Sequence, residues 1–380
     1  MLHPFEHTRE LFPILTSKAQ LSSCSQSALS LPVDQAIGDY LKSWRDRGMD
    51  WLGWMDAVNE AKAAFARLIN AHPDEVAVLS SVSDAASSIG SAMNFTPEKN
   101  GIIVGDIDFP SVGHVWLAHQ RKGAQVHFVE ADEGHCISLD AYAGKIDERT
   151  ALVSVSHVSY YNGFLQDIAG IAELAHAKDA LVFVDAYQSA GAVRIDVQRD
   201  GIDILASGAQ KFLLGCPGIA FMYVRRAVAE RLLPSNTGWF GRVNPFAFDI
   251  RQLDFAPGAS RFNTGTPPMI NAFAARAALG LMGSMDVDLI ESYLKHLSGV
   301  ALDEAKRLGL QVASPRDLAR KASTTAIRVG DASAVERKLL AQGYVVSARN
   351  DVIRIAPHFY NTESEVIGAI RALAALGGVQ

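Results

Sequence analysis

Cysteine is scarce in this 380-residue chain, which holds only Cys24, Cys136 and Cys216. Three cysteines without a Cys-x-x-Cys spacing argue against a disulfide framework and against a zinc ribbon. Charge of one sign is scarce too. With 35 basic and 41 acidic residues the formal net charge is −6, so there is no basic footprint and neither nucleic acid nor an anionic membrane is an expected partner. No apolar run approaches the roughly 20 residues of a bilayer-spanning helix. The amino-terminal Met-Leu-His-Pro-Phe-Glu-His-Thr-Arg-Glu lacks the charged-then-apolar order of a signal peptide, so a cytoplasmic location is expected. No Gly-x-Gly-x-x-Gly follows the first strand, which disfavours dinucleotide binding. Internal repeats, low-complexity tracts and charge blocks are likewise missing. His114 and His119 are five residues apart and do not share a helix face, so they are not read as a metal pair.

What is present is alternation. Short β-branched runs at 75–79, 101–104, 125–129, 151–155, 180–184, 202–206 and 218–224 are separated by helical stretches, among them 171–178 and one opening at Ser83. This order predicts an α/β fold with a mostly parallel sheet covered by helices. From about Asp286 the pattern changes to a long helix over 286–308, short strands near 324–329, 344–347 and 352–355, and a last helix over 362–375. The length also favours more than one domain. The expected division is a large domain over 60–285 and a small α+β carboxyl-terminal domain over 286–380, with residues 1–59 completing the small domain and the entrance to the active site. The stretch 234–268 is the least regular, and a long loop in a compact domain is usually functional or disordered.

The chemistry concentrates between Ala180 and Phe221. Leu181-Val-Phe-Val ends on Asp185, and Lys211 follows a second strand-like run, Ile202-Asp-Ile-Leu-Ala. An acid at the end of a buried strand can keep a pyridine nitrogen protonated. A lysine can carry an aldehyde as a Schiff base. Together they are the two protein groups that pyridoxal 5'-phosphate most needs. Strand, acid, second strand, lysine, the Cys216-Pro-Gly turn and a third strand appear in an order that resembles the class V aminotransferase family of fold-type I pyridoxal phosphate enzymes. Cysteine desulfurases, kynureninases and isopenicillin-N-epimerase-like proteins belong to this group.

That resemblance implies a set of site residues. The turn Leu79-Ser-Ser-Val-Ser-Asp opens a helix whose free amides suit a phosphate. Ser83 stands where the relatives carry a hydroxyl, and the carboxylate of Asp84 is expected to turn aside and leave its amide. Phe109, in Phe109-Pro, is the candidate to stack on the cofactor. Gln188 matches a partner for its phenolic oxygen, and Ser207 and Gln210 flank the lysine near the phosphate. Gln210 replaces the relatives' His or Tyr, which makes that environment less cationic. The run Ser156-His-Val-Ser-Tyr-Tyr-Asn-Gly places His157, Ser159 or Asn162 near cofactor or substrate. Arg261-Phe-Asn-Thr-Gly-Thr-Pro resembles a segment that reaches the neighbouring subunit's phosphate, with Gly265 and Thr266 in the matching places, and implies a homodimer with shared sites. Arg354, six residues before Tyr360-Asn-Thr, matches an arginine that forks onto a substrate carboxylate.

The implied enzyme takes a small-molecule amino acid, held by Arg354, with Lys211 moving the Cα proton. Amino transfer or Cβ lyase chemistry is favoured. Kynureninase-like hydrolysis, epimerisation and desulfuration are the alternatives, and a scaffold protein retaining the fold is the non-enzymatic one. Desulfuration is disfavoured because the segment before Arg354, Ser347-Ala-Arg-Asn-Asp, has no cysteine-bearing loop, leaving only Cys24 or Cys216 to stand in.

Overall fold

The structure, a computed structural model, describes residues 3–376. Its strands in chain order are β1 (Ala19–Gln20), β2 (Val76–Leu79), β3 (Gly101–Gly105), β4 (Gln125–Val129), β5 (Thr150–Ser156), β6 (Leu181–Asp185), β7 (Ile204–Gly208), β8 (Ala220–Val224), β9 (Thr325–Arg328), β10 (Tyr344–Val345), β11 (Ser347–Arg349) and β12 (Val352–Ile355). The first seven after β1 form one sheet in the order β2-β8-β7-β6-β5-β3-β4, in which only β8 runs antiparallel to its neighbours. β2, β3, β7 and β8 are buried along their whole length. Continuous apolar runs of this kind suit strands covered by helices on both faces. One core lies on each face: Phe65, Val153, Val184, Leu205 and Phe221 on one, Ile102, Trp116, Phe183 and Met222 on the other.

A third core joins the chain's two ends. Phe12 and Leu21 pack with Leu294, Leu297, Ile353 and Phe359. β1 pairs in parallel with β10, and β9, β11 and β12 form an antiparallel sheet in the order β11-β12-β9. The helix Val287–Arg307 covers this unit. Its start is set by Asp286, whose carboxylate accepts from the amides of Asp288 and Leu289. The two units meet closely at Gly163. Its φ is +75°, and a Cβ there would lie 2.4 Å from the Thr324 carbonyl, so only glycine fits.

The structure adds two helices in the first 70 residues, Leu31–Arg47 and Trp51–Leu68, both packed on Met269–Gly283. The first buries only Val33 and Ala36 fully, so its apolar periodicity is faint in the sequence. The stretch 234–268 contains only short 3₁₀ turns. The sixth predicted strand of the large sheet, expected at 202–206, shifts by two residues, to Ile204–Gly208. Asp203 leaves the ladder because its buried carboxylate accepts from the Val182 amide and pairs with His176 and Arg225.

Candidate active site

The central strands β5, β6 and β7 end level with one another: Ser156 is opposite Asp185, and Asp185 opposite Ala206. The carboxyl ends of parallel strands are where an open α/β sheet forms its crevice. Asp185 is 7% exposed. One of its carboxylate oxygens accepts from the Tyr187 amide at 2.9 Å. Burial raises its pKa, against the Tyr187 hydrogen bond and the Lys211 charge, which lower it.

Lys211 sits on the turn after β7. Gly191 makes room for that turn: its φ is +90°, and a Cβ would meet the Phe212 carbonyl at 2.2 Å. The Lys211 amine lies between two rings, 3.9 Å from the centre of Tyr187 and 5.6 Å from that of Phe109. Its pKa falls to about 8. Desolvation is the main cause, Asp185 and Cys24 oppose it, and the charges of Arg354 and Arg349 reinforce it. A lysine so placed is a usable nucleophile near neutral pH.

Phe109 caps the helix Pro110–Ala118 and meets Tyr160 edge-on at 5.1 Å. Gln188 is buried. Its amide nitrogen donates to the Cys24 carbonyl at 2.9 Å, while its oxygen has no partner. Arg354 on β12 is 1% exposed. It donates from Nη1 to the Tyr160 carbonyl at 2.7 Å and from Nη2 to Ser25 Oγ at 2.9 Å and Ser347 Oγ at 2.6 Å, while Nε is buried without a partner. A guanidinium has five N–H donors, so Nε and one hydrogen on Nη1 remain for a ligand.

At the helix Val82–Ala92 it is Ser81 that caps, accepting from the Asp84 amide at 3.1 Å. The Asp84 carboxylate turns to Ser80 and to the Asn236 amide. Ser83 is partly exposed in the first turn. Ser207 is buried and donates to the Ala186 and Gly208 carbonyls. Gln210 accepts from the Tyr187 hydroxyl at 3.0 Å and donates to the Ser25 carbonyl. Gly265 and Thr266 lie exposed just before the helix Met269–Gly283.

Two expected residues do not face this crevice. The Asn162 side chain is committed to backbone groups: Nδ2 donates to the carbonyls of Gly134, His135 and Ala313, and Oδ1 accepts from Phe164. His157 is buried, and its pKa falls to about 4 by desolvation. The charges acting on its ring are those of Asp200 and Glu291, not those of Asp185 or Lys211. It follows Ser156, the residue opposite Asp185, so strand alternation turns it to the other side. Ser159 accepts from the Tyr161 amide.

Several groups in the crevice went unread in the sequence. Tyr187 lies in the turn that follows β6, where its amide donates to the Asp185 carboxylate and its ring meets the Lys211 amine. Asp108 supplies a second acid whose carboxylate is buried. Its Oδ1 accepts from the Ser156 amide at 3.0 Å, its Oδ2 has no partner, and burial together with Asp185 pushes its pKa up to about 7. The segment 22–30 carries no sequence motif, yet it straps the site through Cys24, Ser25 and Ser27, touching Gln188, Arg354 and Gln210.

A buried acid and a lysine at the ends of parallel strands, with a guanidinium brought in from a second unit, define an α/β enzyme crevice suited to a flat cationic ring and a carboxylate. Residues 23–372 match the profile of the family described as Aminotransferase class-V, and the chain belongs to that family. It is 42% identical over 375 residues to an uncharacterized aminotransferase, YcbU, of Bacillus subtilis (strain 168), with 99% of each chain covered. It is 28% identical to a probable cysteine desulfurase of Methanothermobacter thermautotrophicus, with 95% of each covered. Among solved structures, the apo cysteine desulfurase from Thermococcus onnurineus NA1 has a TM-score of 0.89 at 22% identity, covering 99% of this chain and 98% of that one. The fold is that of the fold-type I enzymes.

Proposed function

We propose that this protein is a pyridoxal phosphate-dependent enzyme that acts on an amino acid, by amino transfer or by cleavage at Cβ. The observation that carries this reading is the placement of the Lys211 amine between two aromatic rings beside buried Asp185, with Arg354 reaching the same crevice from the small unit. The residues fit the cofactor. Asp185 has an oxygen free that would take a pyridinium N–H, the unpartnered Gln188 oxygen would be available to a polar substituent, Phe109 offers a ring face, and the first turn at Ser83 offers amides. The bound cofactor supplies an electron sink that weakens the bonds at Cα. Lys211 is the covalent anchor and moves the Cα proton. Asp185 holds the ring nitrogen protonated, and Arg354 orients the substrate carboxylate.

The test is a visible titration of the cofactor-loaded protein with a panel of amino acids, with products identified by mass spectrometry. A keto acid left with an aminated cofactor marks amino transfer. Ammonia or a cleaved side chain marks lyase or hydrolase chemistry. No visible band after loading overturns the reading.

The lowered pKa of Lys211 makes a pH prediction. Its folded value, about 8, lies below the ordinary lysine value of 10.5, so the folded protein releases the proton first and its stability rises with pH between the two values. The free amine is the form that attaches an aldehyde. Stopped-flow loading of the apo protein should speed up as pH passes about 8 and level off above it, where an ordinary lysine would still be accelerating.

Arg354→Lys keeps the charge but loses the fork. We expect kcat/KM to fall about 100-fold, mainly through KM, with the circular dichroism spectrum unchanged. An unaltered KM would remove Arg354 from carboxylate binding.

We also propose a homodimer, in which the exposed Gly265 and Thr266 reach the partner's phosphate site, and a cytoplasmic location, in keeping with three free cysteines. Light scattering of the holoenzyme tests the dimer, and a monomer fully active at assay concentration would refute shared sites.

A further inference from the structure

The hairpin of β11 and β12 brings a second arginine to the site. In its antiparallel register Ser347 is opposite Arg354 and Arg349 opposite Val352. Side chains alternate along a strand, so Ser347, Arg349, Val352 and Arg354 share one face. The hydrogen bond from Arg354 to Ser347 follows from this. Arg349 and Arg354 are diagonal neighbours on that face, with Cα atoms roughly 8 Å apart by strand and sheet spacings. Guanidinium arms on such a base can grip two acidic groups of one small molecule.

The two arginines differ in what they already hold. Arg354 is anchored by Tyr160, Ser25 and Ser347. Arg349 makes no hydrogen bond and no ion pair with its side chain among the described residues, and its Nε is buried without a partner. Buried polar groups are normally satisfied, so an orphaned guanidinium N–H beside a crevice calls for an acceptor from outside the chain. Its charge is felt at the Lys211 amine.

No carboxylate among the described residues answers that call. Asp351 is taken by Arg328 and by the Tyr161 hydroxyl, and Asp106 accepts from the Ala131 amide. These acids and Tyr160 bound a recess that reaches Asn350, next to Arg349. Its two carboxylates would repel an anion, so the recess is not where a second acidic group would go.

We infer that Arg349 is a specificity-determining residue that binds an acidic side chain, carboxylate or sulfinate, so that the substrate is an amino acid with two acidic groups. This rests on the reading of the site given above and deepens it.

The test compares the holoenzyme and its Arg349→Gln and Arg349→Lys variants. Substrates are aspartate, glutamate and cysteine sulfinate against alanine and cysteine, and unreactive maleate serves as a binding probe read from the cofactor's visible band. The expected result is a wild-type preference for an acidic amino acid. Arg349→Gln should lower kcat/KM for it roughly 100-fold, mostly in KM, change neutral amino acids less than threefold, and weaken maleate to a similar degree, whereas Arg349→Lys recovers part of both. A wild type that responds to neutral amino acids at least as well, or an Arg349→Gln variant with unchanged selectivity, overturns the inference and leaves the enzyme reading standing. Loss of cofactor affinity in Arg349→Gln, with selectivity intact, assigns Arg349 to the cofactor instead and also overturns it. If no visible band forms in the wild type, the enzyme reading itself fails and the inference with it.

Discussion

Lys211→Ala is expected to abolish turnover, with kcat falling by at least ~10³-fold, because covalent attachment and proton transfer are lost together. The fold should survive. The Lys211 side chain makes no hydrogen bond among the described residues, and its amine lies over the rings of Tyr187 and Phe109. Removing it also removes a buried amine whose charged form the fold disfavours. The measurements are steady-state turnover, the visible spectrum after loading and thermal melting. The spectrum should lose the lysine-linked band, and the melting temperature should hold or rise at neutral pH. Turnover near the wild-type rate would refute the assignment of Lys211 outright.

The second large effect is expected from Asp185→Asn. The amide is nearly isosteric and its oxygen still accepts from the Tyr187 amide, but it cannot hold a pyridine nitrogen in the protonated form. A loss of about 10²- to 10³-fold in kcat, or about 2.7–4 kcal/mol, is the scale for a preorganised electrostatic group at a reacting centre. Stability should move the other way. The folded pKa of Asp185 is raised, so the fold holds its proton more tightly than the unfolded chain does, and stability falls as pH rises through the interval between the two values. Above that interval the buried charge is a constant cost, and asparagine relieves it. The apo Asp185→Asn protein should therefore melt no lower than wild type at pH 7 to 8, while being far less active. A lower melting temperature would make Asp185 chiefly a structural residue.

Much of the architecture was legible because it is local. All seven large-sheet strands stand within about two residues of their predicted places, since runs such as Leu181–Asp185 and Gln125–Val129 are β-branched, short and flanked by turn residues. Other features were not legible for equally physical reasons. The helix Leu31–Arg47 buries too little to show a period, and the strand at Ile204 started late because Asp203 found partners in His176 and Arg225, both outside its own run. Asn162 and Gln188 looked alike in the sequence as polar residues near the crevice. The fold surrounds the first with backbone carbonyls and leaves the oxygen of the second without a partner.

By itself the sequence determined an α/β chain with an acid ending one strand and a lysine following the next, because strand period and chain order are properties of neighbouring residues. Tertiary structure decided what surrounds those groups. It set Tyr187 and Phe109 about the lysine, drew the 22–30 segment over the crevice, and turned two arginines of one hairpin to the same face, one anchored and one without a partner. Burial, which lowers the Lys211 pKa and raises those of Asp108 and Asp185, depends on contacts between residues more than a hundred positions apart, and no local pattern in the chain records them.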